Sequence, residues 1–212
     1  MRIKKFGHAC LLVEEGSAKI LIDPGNYSTI PALSNIDAIL ITHEHPDHLS
    51  LDSLRTILAN NPEVKVFTNN GVAKILEEAG IGYLLLGGGE SAQIQGVSVQ
   101  GYGIDHALIY ESIPRIRNTG YMIANKFFHP GDSLTSYPPK VQILALPVSG
   151  PWMKISETLD YALKIKPQVC FPVHDGMLRP DRMGPTRIVP PKVLGPSGIE
   201  FRDMVEGSVE EF

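Results

Sequence analysis

Residues 39–48 read ILITHEHPDH, an apolar run of β-forming residues that stops at Thr42 and is followed at once by three histidines and an aspartate within six positions. Ionisable side chains at that density are costly to bury unless they are paired or hold a metal, yet the run before them has the composition of a buried strand. The chain is thereby confined to folds in which a strand end opens onto a polar site. Pro46 disfavours a helical conformation at His45, so the stretch before it is extended. Side chains two apart in an extended chain point the same way, and His43 and His45 therefore face one point. Beyond the proline the chain bends toward a helix, and Asp47 and His48 address a second point nearby. Two adjacent metal ions explain this geometry. Imidazole and carboxylate donors suit Zn2+, with Mn2+ or Fe2+ as alternatives, and no Cys-x-x-Cys pair offers softer ligands. One segment cannot complete two sites. His106, Asp132 and His174, each at or just past the end of a predicted strand, are the candidates for the remainder.

The rest of the chain reads as strands and helices in alternation. RIKKF, ACLLVEE and AKILID form a meander with a turn at Gly16, and the run from Ala38 to Thr42 adds a strand. Leu51, Leu54, Ile57 and Leu58 recur at helical spacing behind Ser50, a good N-cap, and Pro62 closes that helix. VKVFT is a strand, and a short helix follows that stops at Gly80. Strands and glycines alternate from 83 to 106, and a hairpin from Gly120 to His129 turns near Asn125. VQILALPV is a buried strand, Ser156 is the expected cap of a helix ended by Pro167, and VCFPV is a last strand with His174 at its end. The proline-rich stretch from Arg179 to Pro196 reads as loop. Strands in both halves, each followed by helices, imply two sheets covered by helices on their outer faces. At 212 residues, one domain spanning 1–212 is the expectation.

Composition narrows the functional classes. Hydrophobic residues make up 43% and charged residues 20%, as in ordinary globular chains, and a formal net charge of -4 disfavours a nucleic-acid partner. Glu14 and Glu15 interrupt the first apolar run too early for a secretory segment, and no run approaches the length that spans a bilayer. A cytoplasmic protein acting on a small molecule, with homo-oligomerisation left open, is the expectation. Cys10 and Cys170 read as free buried thiols.

HEHPDH is similar to the H-x-H-x-D-H signature of the metallo-beta-lactamase superfamily, and the order of later residues is similar too. His106 is followed by Gly131-Asp132-Ser133, which resembles that family's Gly-Asp-Thr/Ser turn, and by a final histidine in FPVHDG. The likeness runs from GHACLLVEEGSAKILIDP to that histidine. It is nearest to the small metal-dependent hydrolases that include ascorbate-6-phosphate lactonase-like proteins, whose strand, Pro-x-x-Gly loop, helix and terminal histidine resemble LPVSGPWMKISETLDYALKIKPQVCFPVHDG. The resemblance implies a four-layer αββα sandwich, an α/β fold with a dinuclear site. Carried over position by position, one ion takes His43, His45 and His106, the other takes Asp47, His48 and His174, and Asp132 bridges.

Two divalent ions about 3.5 to 4 Å apart can share a water and supply a bridging hydroxide near neutral pH. Such a site carries about +1 and favours an anionic substrate or a transition state that develops negative charge. Phosphodiesters, lactones and thioesters all qualify, with Asp47 as the catalytic residue that also orients the nucleophile. The alternative is a non-catalytic metal-binding or sensing module on the same scaffold. Several residues stay undecided from sequence. His8 and His129 either orient ligands, touch substrate or are structural; Asp23 in LIDPG reads first as a turn residue, with a hydrogen-bond partner of a ligating histidine as the alternative; and Trp152 either walls a pocket or caps the core. Arg115 and Arg117 are read first as a solvated loop, with phosphate recognition as the alternative.

Overall fold

The computed structural model describes residues 1–212, the side chain of residue 180 excepted. In chain order the elements are β1 (Arg2–Gly7), β2 (Cys10–Glu15), β3 (Ala18–Ile22), β4 (Ala38–Leu40), α1 (Leu51–Asn60), β5 (Lys65–Thr68), α2 (Asn70–Glu78) and β6 (Leu84–Leu85). There follow β7 (Ser91–Ile94), β8 (Val97–Tyr102), β9 (Gly120–Ile123), β10 (Phe127–His129), β11 (Ile143–Pro147), α3 (Ile155–Ile165), β12 (Val169–Val173), α4 (Gly184–Leu194), β13 (Glu200–Phe201) and β14 (Val209–Glu211). One sheet runs β14-β1-β2-β3-β4-β5-β6 and the other β13-β12-β11-β10-β9-β8-β7. Each begins as an antiparallel meander and continues as parallel strands, from β3 through β6 in the first and from β10 through β13 in the second.

Parallel strands demand cover on both faces, and their sequences comply: AIL in β4, ILALP in β11 and VCFPV in β12 are buried at every residue. Three apolar clusters fill the three gaps of a four-layer sandwich. Between the sheets, Ile3, Leu11, Ile20 and Leu40 meet Val99, Ile123, Phe127 and Phe171. Outside the first sheet, Leu21 and Ile39 pack on Leu54 and Ile57 of α1 and on Val72 and Leu76 of α2. Outside the second, Phe128 and Leu144 pack on Leu159 and Ala162 of α3 and on Leu194 of α4. The expected αββα arrangement is the one observed.

Two local expectations need correction. Ser156 is not the cap of α3: Lys154 occupies that position, with its N–H donating to the Glu157 carboxylate at 2.8 Å, and Ser156 lies in the first turn. The stretch read as loop contains α4, although Pro190 and Pro191 lie inside it and remove two helical donors. Tertiary contacts compensate. Leu194 and Val189 pack on the second sheet, and Arg187 reaches Asp175 at 2.5 Å and Asp203 at 2.5 Å. Asp175 also accepts from Lys5, a lysine with no exposed side-chain surface, at 2.7 Å, and the same ammonium donates to the Pro172 and Met204 carbonyls. Burial lowers the pKa of Lys5, against the opposing pull of Asp175.

The strand directions decide where chemistry can occur. The C-terminal ends of β1, β3, β4, β5, β8, β10, β11 and β12 all open on one edge of the sandwich, because each sheet's parallel strands and alternate meander strands run the same way. Loops leaving a shared edge converge there, held by a rigid base.

Candidate metal centre

Five of these strand ends deliver a functional group to that edge. His8 follows β1, Asp23 follows β3, the HEHPDH stretch follows β4, Asp132 follows β10 and His174 follows β12. His106 lies four residues beyond Tyr102, the last of β8, and is not at the strand end itself. His8, Asp23 and His174 adopt left-handed backbone (φ 46°, 46° and 61°), a conformation that costs a non-glycine residue about 1–2 kcal/mol. Three such residues around one point mark a place where the fold aims side chains at the expense of backbone comfort. Two glycines permit the close approach of loops. A Cβ on Gly25 would fall 1.8 Å from the Asp47 carbonyl, and one on Gly131 would fall 2.2 Å from the Asn118 side-chain oxygen, which accepts the Asp132 N–H.

All seven residues expected at the site are brought together, in two groups. His43, His45, His106 and Asp132 place ligand atoms within 4.8 Å of one another, and so do His8, Asp47, His48 and His174. Asp132 faces both groups: its Oδ2 lies 3.4 Å from His106 Nε2 and 2.8 Å from His174 Nε2, and its Oδ1 lies 3.2 Å from His48 Nε2. The first group brings His43 Nε2 and His45 Nδ1 to 3.1 Å of each other, but not through the extended segment expected: β4 ends at Leu40, the chain bends at Glu44 and His45, and the His45 carbonyl accepts from the His48 and Leu49 N–H groups.

Outer contacts fix which nitrogen of each ring faces inward. His48 Nδ1–H donates to Asp23 Oδ2 at 2.7 Å, His106 Nδ1–H to the Ala107 carbonyl at 2.6 Å, and His174 Nδ1–H to the Ser149 carbonyl at 2.5 Å. His43 Nδ1 donates to the Thr42 hydroxyl at 3.0 Å, and that hydroxyl donates to Asp23 Oδ2 at 2.7 Å. Asp23 thus orients a histidine of each group, one directly and one through Thr42, and also accepts the Thr42 N–H. It is a partner of ligand-type histidines and not the plain turn residue its LIDPG context suggests.

The inward atoms are left without partners. His48 Nε2, His106 Nε2, His174 Nε2 and Asp132 Oδ1 are buried and make no hydrogen bond: with the ring protons on Nδ1, nitrogen and carboxylate meet as acceptor facing acceptor. Orphaned polar atoms of this kind cost several kcal/mol in a dry interior unless a cation or donor meets them. Nitrogen and oxygen donors in two neighbouring groups, with free lone pairs converging, fit two divalent ions.

The electrostatics agree. Burial alone would raise the pKa of Asp47, but the hydrogen bond from His8 and the neighbouring His48 and His174 hold it at about 2. Burial would likewise raise Asp132, and His48 and His174 overcome it, so that carboxyl sits well below the usual range. His48 goes the other way: burial lowers it, while Asp132 and Asp23 together drive it well above the ordinary imidazole value.

The residues undecided from sequence now have positions. His8 Nδ1 accepts the Gly176 N–H at 3.0 Å, so its Nε2 carries the proton and donates to Asp47 Oδ2 at 3.0 Å; burial lowers its pKa. His129 bridges the Ala9 carbonyl and the Gly131 N–H and contacts none of the ligand-type side chains, a structural post under the Gly-Asp turn. Trp152 donates from Nε1 to Asp132 Oδ2 at 2.8 Å and walls a cleft of about 380 Å3 that opens onto His45, Asp47, Asp132 and His174. Arg117 pairs with Asp105 at 3.3 Å, and Arg115 borders a smaller chamber beside His45 and His106.

A family profile described as Beta-lactamase superfamily domain matches residues 2–174. Protein Rv0786c of Mycobacterium tuberculosis is 35% identical over 190 residues, covering 87% of this chain and 88% of its own length. A UPF0173 metal-dependent hydrolase of Thermoplasma volcanium is 28% identical over 183 residues, covering 79% and 80%. Igni18, a metallo hydrolase from the archaeon Ignicoccus hospitalis, superposes with a TM-score of 0.76 over 100% of this chain and 98% of its own, at 23% identity, a likeness of fold. With a profile covering most of its length and a relative above the level where shared ancestry is secure, the chain belongs to the metallo-beta-lactamase superfamily.

Proposed function

We propose that this protein is a metal-dependent hydrolase holding two divalent ions, one on His43, His45 and His106, the other on Asp47, His48 and His174, with Asp132 between them. The carrying observation is the convergence of three buried imidazole nitrogens and a carboxylate oxygen that have no hydrogen-bond partner. Zn2+ suits the nitrogen-rich set, with Mn2+ or Fe2+ as alternatives. When bound, the ions supply Lewis acidity and bring the pKa of a shared water near neutrality.

The chain's own groups divide the remaining work. Asp47 borders the open cleft and stays ionised; His8 holds its Oδ2, the oxygen that also faces His48 and His174, so Oδ2 would meet the ion in a fixed direction and Oδ1 is left to orient an attacking water. Trp152 fixes Asp132 from the opposite wall. Neither a serine nor a cysteine nucleophile is needed, and both cysteines are buried. An ester-type bond of a small substrate, in a phosphodiester, lactone or thioester, is the class whose developing negative charge this centre stabilises.

The test is elemental analysis of the purified protein followed by assays on phosphodiesters, lactones and thioesters, with Asp47→Ala alongside wild type. Two ions per chain, turnover of one class, and a loss of about 100-fold or more in the variant at unchanged circular dichroism are expected. Two bound ions with no turnover of any class would favour the binding-module reading instead.

A further inference from the structure

The walls around the metal-facing groups are strongly apolar. Beside the ligand-type residues, Pro46 and one amide, Asn26, the cleft is bounded by Tyr27, Ile109, Pro151, Trp152 and Met177, and among the described residues its lining holds neither Lys nor Arg. A second chamber of about 100 Å3 adjoins it, sharing His45 and Ile109 with the cleft. Its remaining walls are His106, Arg115 and the apolar side chains of Ala107, Leu108, Ile113, Pro114 and Ile116. The segment ALIYESIPRI that builds it is held at both ends: His106 N–H donates to the Ile116 carbonyl at 3.0 Å, and Ala107 N–H donates to the Asp132 carbonyl at 2.8 Å. Position is therefore imposed on a loop whose side chains gain little burial of their own. Leu108 and Ile113 are 45% and 46% exposed, and across the mouth Tyr27 and Met177 are 48% and 45% exposed. Large apolar side chains gathered in one anchored, half-exposed collar around a reactive centre mark a binding surface for apolar matter.

We infer that the group hydrolysed at this centre carries a neutral hydrocarbon substituent that seats against residues 107–116. This rests on the hydrolase reading and names its substrate class: a compact, apolar-tailed acyl compound in preference to a phosphorylated metabolite. The two adjoining spaces explain the form of the selectivity. The reacting group sits where His45 borders both spaces: Asp47, Asp132 and His174 face it from the cleft, and the tail runs past His45 and His106 into the chamber. Arg117 is engaged by Asp105, and Arg115 lies at the chamber's rim among exposed residues, so neither supplies the buried guanidinium that phosphate recognition uses.

Occupancy can be read without turnover, because Trp152 is the sole tryptophan and stands in the cleft wall. Straight-chain alkanoates from acetate to octanoate are titrated into the protein, metal-loaded and chelated, following selectively excited tryptophan emission. The expected result is a Kd that falls about fourfold per added methylene until the chamber is filled, with the same gradient in both states, and a flattened gradient in Ile113→Asp. A flat wild-type series would overturn the inference, as would a gradient unchanged in Ile113→Asp or glycerol phosphate binding tenfold more tightly than hexanoate. Parallel assays on short-chain esters separate the two readings. A gradient without turnover removes the hydrolase and keeps the subsite, whereas turnover with a flat series removes the subsite and keeps the hydrolase.

Discussion

His8 illustrates how a single side chain can matter to catalysis without meeting an ion. Its Nδ1 is committed to the Gly176 N–H, so its Nε2–H is the fixed donor to Asp47. Asparagine tolerates the left-handed backbone of this position but is too short to reach Asp47, which makes His8→Asn a clean probe. It is expected to keep two ions by elemental analysis, lose about tenfold or more in kcat and leave KM nearly unchanged. An unaltered kcat would remove the positioning role. Asp47 itself makes the metal-free protein sensitive to acid. Its folded pKa of about 2 lies below the ordinary 3.8, so the native state binds the proton less readily than the unfolded chain. The resulting stabilisation, about 2 kcal/mol, is fully present above pH about 4 and is lost as pH falls through about 2. Chelated protein unfolded by urea across this range should show the slope, and Asp47→Asn should flatten it.

Among the elements, β1, β12 and α4 are joined by ions and not only by apolar contact. Lys5 on β1 donates to the Pro172 carbonyl of β12 and to Asp175 just beyond it, and Asp175 is shared with Arg187 of α4. Removing one member of a buried ion pair strands the other. Lys5→Met is therefore expected to cost about 3 kcal/mol or more, as a lower urea midpoint at unchanged m; a cost below 1 kcal/mol would mean that Arg187 alone satisfies Asp175. This network also marks the limit of what sequence reveals. Strands with buried runs, the Ser50 cap of α1 and the HEHPDH spacing are local signals, and each is found where periodicity or capping chemistry put it. α4 is invisible locally because two prolines argue against any helix, and it exists through Arg187 and the packing of Leu194. Asp23 and His8 were ambiguous for the same reason. Their partners, His48 and Asp47, lie 25 and 39 positions away, and nothing within LIDPG or GHAC points to them. Trp152 likewise earns its meaning only from Asp132, 20 positions earlier.

At the scale of the whole molecule, the candidate centre is a clamp between the sheets. His43, His45, Asp47 and His48 follow strands of the first sheet, whereas His106, Asp132 and His174 follow strands of the second. Ions held by both sets bind the closed sandwich and not the separated sheets. At a free concentration of about a hundred times Kd, binding to the native state alone adds about 2.7 kcal/mol and makes openings roughly a hundredfold rarer. The two thiols report on this independently. Cys10 lies beneath the helices of the first sheet and Cys170 beneath those of the second. Burial drives the Cys10 thiol well above its ordinary pKa and pushes Cys170 up to about 12, so alkylation in either place requires the layer above it to open. Iodoacetamide labelling followed by peptide mass spectrometry should therefore find both cysteines slow in chelated protein, and both slower by roughly a hundredfold once a divalent ion that the protein binds is added at that excess. Protection of Cys10 alone would mean that the ions are gripped by the HEHPDH segment without His106, Asp132 and His174, and a two-sheet dinuclear centre would be untenable.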